Sequence, residues 1–161
     1  MTPRIETLLE KKLIGKRLVM SLAENRTPEL WRSFMPRRAE IGNALTVDLL
    51  SVQVYDKVSA PALLNPRTVF EKWAAVEVAD FEWVPPGMDA YTLPGGLYAV
   101  FLHKGAAATA PATFRFIFET WLPAAPYVLD DRPHFEVLGV KYKNDDPTSE
   151  EEIWIPIRLK V

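Results

Sequence analysis

The chain has no cysteine, only two histidines and no surplus of either charge. Without thiols there is no disulfide framework, no thiolate nucleophile and no cysteine-based metal site. Neither His103 nor His134 has a carboxylate or a second histidine at ligand spacing, so no metal and no cofactor are expected. Lys and Arg number 19 against 21 Asp and Glu, a net of −2. Such a surface lacks the basic face that broad nucleic-acid binding needs. Thr2 to Leu22 holds neither an apolar run of membrane length nor the layout of a secretion signal, so a cytoplasmic protein without a membrane partner is expected. No Gly-x-Ser-x-Gly elbow, no phosphate-cradling glycine loop and no calcium-loop spacing occurs.

What is present is a core and a repeat. Of the 161 residues, 48% are hydrophobic, enough to bury a substantial interior, and there are 14 prolines, five Trp, five Tyr and eight Phe. Glu71-Lys72-Trp73-Ala74-Ala75-Val76 reads against Glu152-Ile153-Trp154-Ile155-Pro156-Ile157, 81 positions apart. Ser51 to Tyr55 reads against His134 to Leu138 at an offset of 83. Ahead of these runs stand two proline-opened helices, from Thr27-Pro28 and from Ala110-Pro111, with Thr27 as an N-cap. Pro36 is expected to kink or end the first helix early, since it removes a hydrogen bond and clashes with the turn before it. Strand candidates Leu18–Leu22 and Tyr98–Leu102 precede the helices, and Gly15 separates two short apolar runs. Lys57 to Arg67 and Tyr127 to Arg132 read as loops. The expected fold is α+β, a tandem duplication of strand–helix–strand–strand units with a pseudo-twofold axis and a groove between halves, residues 1–84 and 85–161.

Strand alternation suggests what fills that groove. Ile153, Ile155, Ile157 and Leu159 form a helix-covered face, leaving Glu152, Trp154 and Arg158 on the other. Taking Phe135 and Val137 as core puts His134, Glu136 and Leu138 opposite; taking Val52 and Val54 as core puts Ser51, Gln53 and Tyr55 opposite. Trp73 and Trp154 are then pseudo-equivalent aromatics on a polar face, and Gln53 and Glu136 are pseudo-equivalent on the same side. Together they make an aromatic-walled groove with one carboxylate and one amide, suited to a flat cationic compound. Trp31 and Phe34 are further contributors from the first helix. The alternative is that the tryptophans pack together and close the interface.

Several of these stretches resemble one family. Leu93-Pro94-Gly95-Gly96-Leu97-Tyr98-Ala99-Val100-Phe101-Leu102-His103-Lys104-Gly105 is similar to the central signature of the GyrI-like, or AraC-type effector-binding, domain. Trp121-Leu122-Pro123, Arg132-Pro133-His134-Phe135-Glu136 and Glu152 to Ile157 continue it in order. Leu30 to Arg38 and Phe70 to Val76 look like the first half of its free-standing bacterial members. The resemblance implies binding of hydrophobic, often cationic or planar compounds between the halves, with the acidic ligand-binding residue falling on Glu136. It implies a ligand-sensing or toxin-protective role linked to multidrug binding and transcription regulation. No direct DNA binding is expected, since the resemblance starts close to residue 1 and no helix-turn-helix is recognised. Two other functions follow from other members. One is hydrolysis of cyclopropane-bearing genotoxins with Glu136 as the catalytic glutamate. The other is a protein-interaction module that inhibits a topoisomerase or partners a regulator.

Overall fold

The structure is a computed structural model describing all residues from Met1 to Val161. In chain order the strands and helices are β1 (Arg4–Leu8), β2 (Lys11–Met20), α1 (Thr27–Phe34), β3 (Leu49–Val54), α2 (Ala60–Leu64), β4 (Phe70–Val78), β5 (Asp89–Leu93), β6 (Gly96–Lys104), α3 (Ala110–Phe116), α4 (Leu122–Ala124), β7 (Tyr127–Leu129), β8 (His134–Leu138) and β9 (Glu150–Leu159). One antiparallel sheet runs β1-β6-β9-β8-β3-β4-β2-β5, and β7 pairs with β9.

The repeat is visible in the register. At the centre, Val52 of β3 faces Phe135 of β8, 83 positions apart. Val52 also pairs with Trp73 of β4, and Phe135 with Trp154 of β9, which reproduces the offset of 81 between the tryptophans. Strand order is therefore mirrored about the β3–β8 pair. The outermost strands are exchanged: β1 pairs with β6 and β5 with β2. Each is joined to its successor by two residues, Leu9-Glu10 and Pro94-Gly95, and these links touch. A Cβ on Gly95 would stand 2.6 Å from the Leu8 carbonyl oxygen, so only glycine fits there. At Gly96, φ is +148°, and the Arg132 guanidinium fills the space a side chain would take. That guanidinium lies 4.7 Å over the Tyr98 ring and donates to the carbonyls of Leu97 and Ile157, tying β6 to β9.

Both faces of the sheet are apolar, which the residue pattern did not convey. On the face without helices, Leu50, Val52, Trp73, Tyr98, Val100, Phe135 and Trp154 form one core with the edge residues Leu8 and Leu93. On the other face there are two cores. Under α1, Leu30 and Phe34 pack on Ile14, Ala74 and Val76. Under α3 and the wider π turn Ile117–Trp121, Ile117 and Phe118 pack on Phe101, Ile153 and Ile155. His103 pins this side, with Nδ1 2.7 Å from Thr113 Oγ1 and Nε2 3.1 Å from Thr109 Oγ1.

Local departures from expectation have local causes. Pro36 does end α1, and a 3-10 turn follows over Met35–Glu40. Thr27 is not the cap: it already lies inside the helix, and Asn25 Oδ1, two positions before it, accepts its N–H. Gly15 sits within β2, opposite Ala75, where the chain passes too close to the Ala74 carbonyl for any side chain. The stretch Lys57 to Arg67 contains α2, whose Leu63 is buried with the α3 core. Strands β5 and β7 depart from the expected pattern: β5 alternates over only five residues, and β7, three residues long, falls in the stretch Tyr127 to Arg132 that reads as a loop.

Candidate functional site

Alternation along the paired strands places a row of polar side chains on the helix-bearing face, over the central strands that neither α1 nor α3 covers. Ser51 stands opposite Glu136, Gln53 opposite His134, and Lys72 opposite Gln53. Ser51, Gln53, Lys72 and His134 are buried, while Glu136 and Glu151 keep partial access to solvent. Gln53 Nε2 donates to Glu136 Oε1 at 3.4 Å and lies 3.5 Å from Ser51 Oγ. Tyr55, one residue past β3, packs against His134 with centroids 5.2 Å apart and against Phe70 at 5.0 Å. Phe118 closes over His134 at 6.3 Å. It also lines a cavity of about 390 Å³ with Val58, Ala60, Leu122, Tyr127 and Leu129. The polar row, which is the floor of the seam and lies outside that cavity, is bordered by the aromatic rings of Tyr55, Phe70 and Phe118.

The electrostatics follow from burial. Desolvation raises the Glu136 carboxyl above its ordinary range, with Lys72 and the Gln53 hydrogen bond pulling it back in part. Glu151 is pushed up to about 7 by desolvation and by the neighbouring Glu136 charge, against the pull of Lys72. Burial lowers Lys72, opposed by both glutamates. It also lowers His134, helped by Arg132, to about 3, so that imidazole is neutral. Tyr55 is raised strongly by burial and by Glu136. Glu136 is the feature that stands out: a carboxylate with one long hydrogen bond and no ion pair.

Gln53, Glu136 and Tyr55 are thus brought together, but the tryptophans are not with them. Trp73 and Trp154 share the helix-free face, 2% and 9% exposed, in the core with Phe135 and Tyr98. The expectation that they wall the groove around Glu136 is corrected by register: Glu136 pairs with Ile153, and Trp154 with Phe135. The physical reason is that Val52 and Phe135 belong to a second core, distinct from the Ile153 row. Phe34, the last residue of α1, is fully buried, and Trp31 lies edge-on to it at 6.0 Å, so Phe34 is a core residue and not the groove contributor it was expected to be. Lys72, Ser51, His134 and Glu151 went unnoticed as site residues. A signal for Lys72 existed: it falls in register with Ala74, Val76 and Val78, a charge in an otherwise apolar row. No cluster of three His, Asp or Glu side chains stands close enough to hold a metal.

Each tryptophan carries the same retinue. Trp73 Nε1 donates to Glu71 Oε1 at 2.6 Å, and Trp154 Nε1 to Glu152 Oε1 at 3.1 Å. Arg17 lies 5.7 Å over the Trp73 ring and pairs with Glu71, while Arg4 lies 5.7 Å over Trp154 and pairs with Glu152. The arginines come from β2 and β1, so the exchanged edge strand completes the second copy.

A mirrored antiparallel sheet with one helical layer over each flank and a polar seam between them defines the duplicated strand–helix–strand–strand class. Within it, the chain belongs to the GyrI-like small molecule binding domain family, whose pattern it matches over residues 1–158. It is 29% identical over 130 residues to the transcriptional regulator BrlR of Pseudomonas aeruginosa, covering 80% of this chain and 45% of that protein. The chain therefore spans about half the length of this curated relative. Its fold is similar to the EcmrR C-terminal domain, with a TM-score of 0.71, 16% identity and 98% of each chain covered. It is also similar to SAV2435 bound to tetraphenylphosphonium, with a TM-score of 0.64, 17% identity and coverage of 98% and 94%. No helix is long and apolar enough to cross a membrane.

Proposed function

We propose that the two sequence halves act as one ligand-binding unit that takes a flat or bulky hydrophobic compound bearing positive charge into the seam between α1 and α3. The observation that carries this reading is Glu136: a partly accessible carboxylate, weakly hydrogen-bonded, unpaired, and set among Tyr55, His134 and Phe118. A cation there gains the carboxylate's charge, and its apolar body gains aromatic contact. Gln53 holds the carboxylate in place from the other half of the sheet. The tetraphenylphosphonium bound to SAV2435 has this chemistry and makes a ready probe. In a cytoplasmic setting such capture serves sensing or sequestration, and the likeness to BrlR favours a role in which the ligand-loaded form acts on a transcription partner.

The test is calorimetric titration and thermal melting with tetraphenylphosphonium. A ligand that binds only the folded state raises Tm by mass action. Glu136→Gln should weaken the cation by roughly ten- to a hundredfold, the worth of a charge-assisted contact, and spare a neutral aromatic of similar size. Equal loss for both ligands would assign Glu136 a structural role instead.

A second reading, hydrolysis of a strained electrophile, is favoured by one observation. Tyr55 packs on His134, two residues from Glu136 on the same face of β8, which supports a phenol and a carboxyl group serving one site. Incubation with a cyclopropane-bearing substrate and product analysis decides it; a substrate bound and recovered intact removes this reading.

A further inference from the structure

We propose that Lys72 is a resident counter-cation of the groove, so that the site admits one further positive charge and does so in exchange for a proton held by the Glu136–Glu151 pair. This rests on the reading of the groove as a cation site and adds the ligand's charge and its pH dependence.

The geometry supplies the count. Lys72 on β4, Gln53 on β3 and His134 on β8 form one cross-strand row on the helix-bearing face, and Ser51, Glu136 and Ile153 form the next. Glu151 follows on β9, two residues before Ile153 on the same face and directly opposite His103 of β6. Lys72 is 7% exposed, has no hydrogen-bond partner and makes no ion pair, yet both glutamates act on it through space. The floor therefore holds one ammonium and two carboxylates in a poorly solvated site. With Lys72 and one carboxylate charged the site is neutral, and a second bare carboxylate is costly without a compensating cation. Of the other groups facing the pair, His134 is neutral and the Tyr55 and Tyr142 phenols are raised, so none of these three adds charge near neutrality, while both ring nitrogens of His103 are engaged by Thr113 and Thr109. The charged residues of α3 and the turn after it, Arg115 and Glu119, lie outside the seam. Ligand entry then drives the second carboxylate to ionise, and its proton leaves to solvent. Glu151, near 7 in the free protein, is the group that gives it up. A dication has no matching charge, so the ligand class is monocationic.

The experiment is calorimetric titration of the full chain with tetraphenylphosphonium, at pH 6 in two buffers of different ionisation enthalpy, and across pH 5 to 9. About one proton should be released per cation at pH 6 and almost none at pH 9. Affinity should rise roughly tenfold per pH unit up to about 7 and then level, as linkage requires. Lys72→Met leaves the pair one proton and one negative charge. The variant should bind the cation more tightly at pH 6, with no proton release. Glu151→Gln, a milder change, should also abolish proton release and flatten the pH dependence, while binding more weakly than the native protein at pH 8. A proton count near zero at pH 6 with the cation bound overturns the exchange and leaves the cation site standing. Unchanged pH dependence in a folded Lys72→Met or Glu151→Gln protein does the same. Absence of binding at every pH overturns both readings.

Discussion

The two faces of the sheet treat the duplication differently. On the helix-free face the repeat is kept: Trp73 and Trp154 occupy equivalent positions, each with an indole N–H on a glutamate two residues earlier and an arginine 5.7 Å over the ring. On the helix-bearing face it is broken. Gln53 answers to Glu136, Ser51 to His134 and Lys72 to Ile153, so no polar residue of the seam has a twin. A symmetric pocket would present two amides or two carboxylates, and two carboxylates at this burial would repel. Divergence instead gives one carboxylate, Glu136, and one amide, Gln53, where the halves meet. Packing tolerates symmetry; a ligand without a twofold axis does not reward it.

The largest way to break this comparison is on the symmetric face. Trp73→Ala and Trp154→Ala should each cost about 3–5 kcal/mol in urea unfolding, with Trp73 the larger because it is the more buried. A loss under 1 kcal/mol at either would mean that the helix-free core is not continuous across the axis. Next comes the crossing of the links. Gly95→Ala drives a methyl group against the Leu8 carbonyl and should cost about 1–3 kcal/mol, without moving ligand affinity. Unchanged stability would show that the links separate easily.

The polar seam is addressed by pH. Glu151 is raised in the folded protein, so its contribution is favourable below the unfolded value and is lost as pH climbs from about 4.5 to about 7. His134 runs the other way: held neutral down to about 3, it contributes above 6.5 and loses that as pH falls. Melting curves of Glu151→Gln should therefore gain on the native protein between pH 5 and 7 and gain nothing more above 8. Trp154→Ala should show the same deficit at every pH. A Glu151→Gln difference that is flat with pH would place that carboxyl in free solvent. Smallest is the paired substitution of Arg4 and Arg17 by alanine. Each should lower Tm slightly and by similar amounts, and unequal losses would show that β1 and β2 are not interchangeable as sources of the stacking arginine.

Much of this was legible in the residues. The offsets of 81 and 83 identified the duplication, since equivalent strands must repeat their alternation, and Gln53 and Glu136 do meet across the axis. The family signature in Leu93 to Gly105 and Arg132 to Glu136 agreed with the sheet. What alternation could not supply was which apolar row lies under helices. Val52, Phe135 and Ile153 look alike as strand positions, and only the β8–β9 register, which sets Phe135 beside Trp154, separates them. The tryptophans were accordingly placed on the wrong side of Glu136. Lys72 was hidden for a different reason. A lysine in a strand ordinarily faces water, and its burial depends on α1 and α3 flanking a seam that local sequence does not record.

The exchange of β1 and β5 sets a timetable for the newborn chain. Residues 4–8 hydrogen-bond to residues 96–100, so the first strand emerges from the ribosome with its partner still untranslated. At about 5–20 residues per second it waits on the order of 5–20 seconds, with Leu8, buried in the finished fold, unsheltered throughout. The first half cannot close early on its own, because its outer strand is β5, which follows rather than precedes it. A chain stopped at residue 84 has neither a partner for β1 nor a β5 to cap β2, and should emerge sticky and protease-sensitive. Synthesis of the second half is thus the event that lets the first half fold.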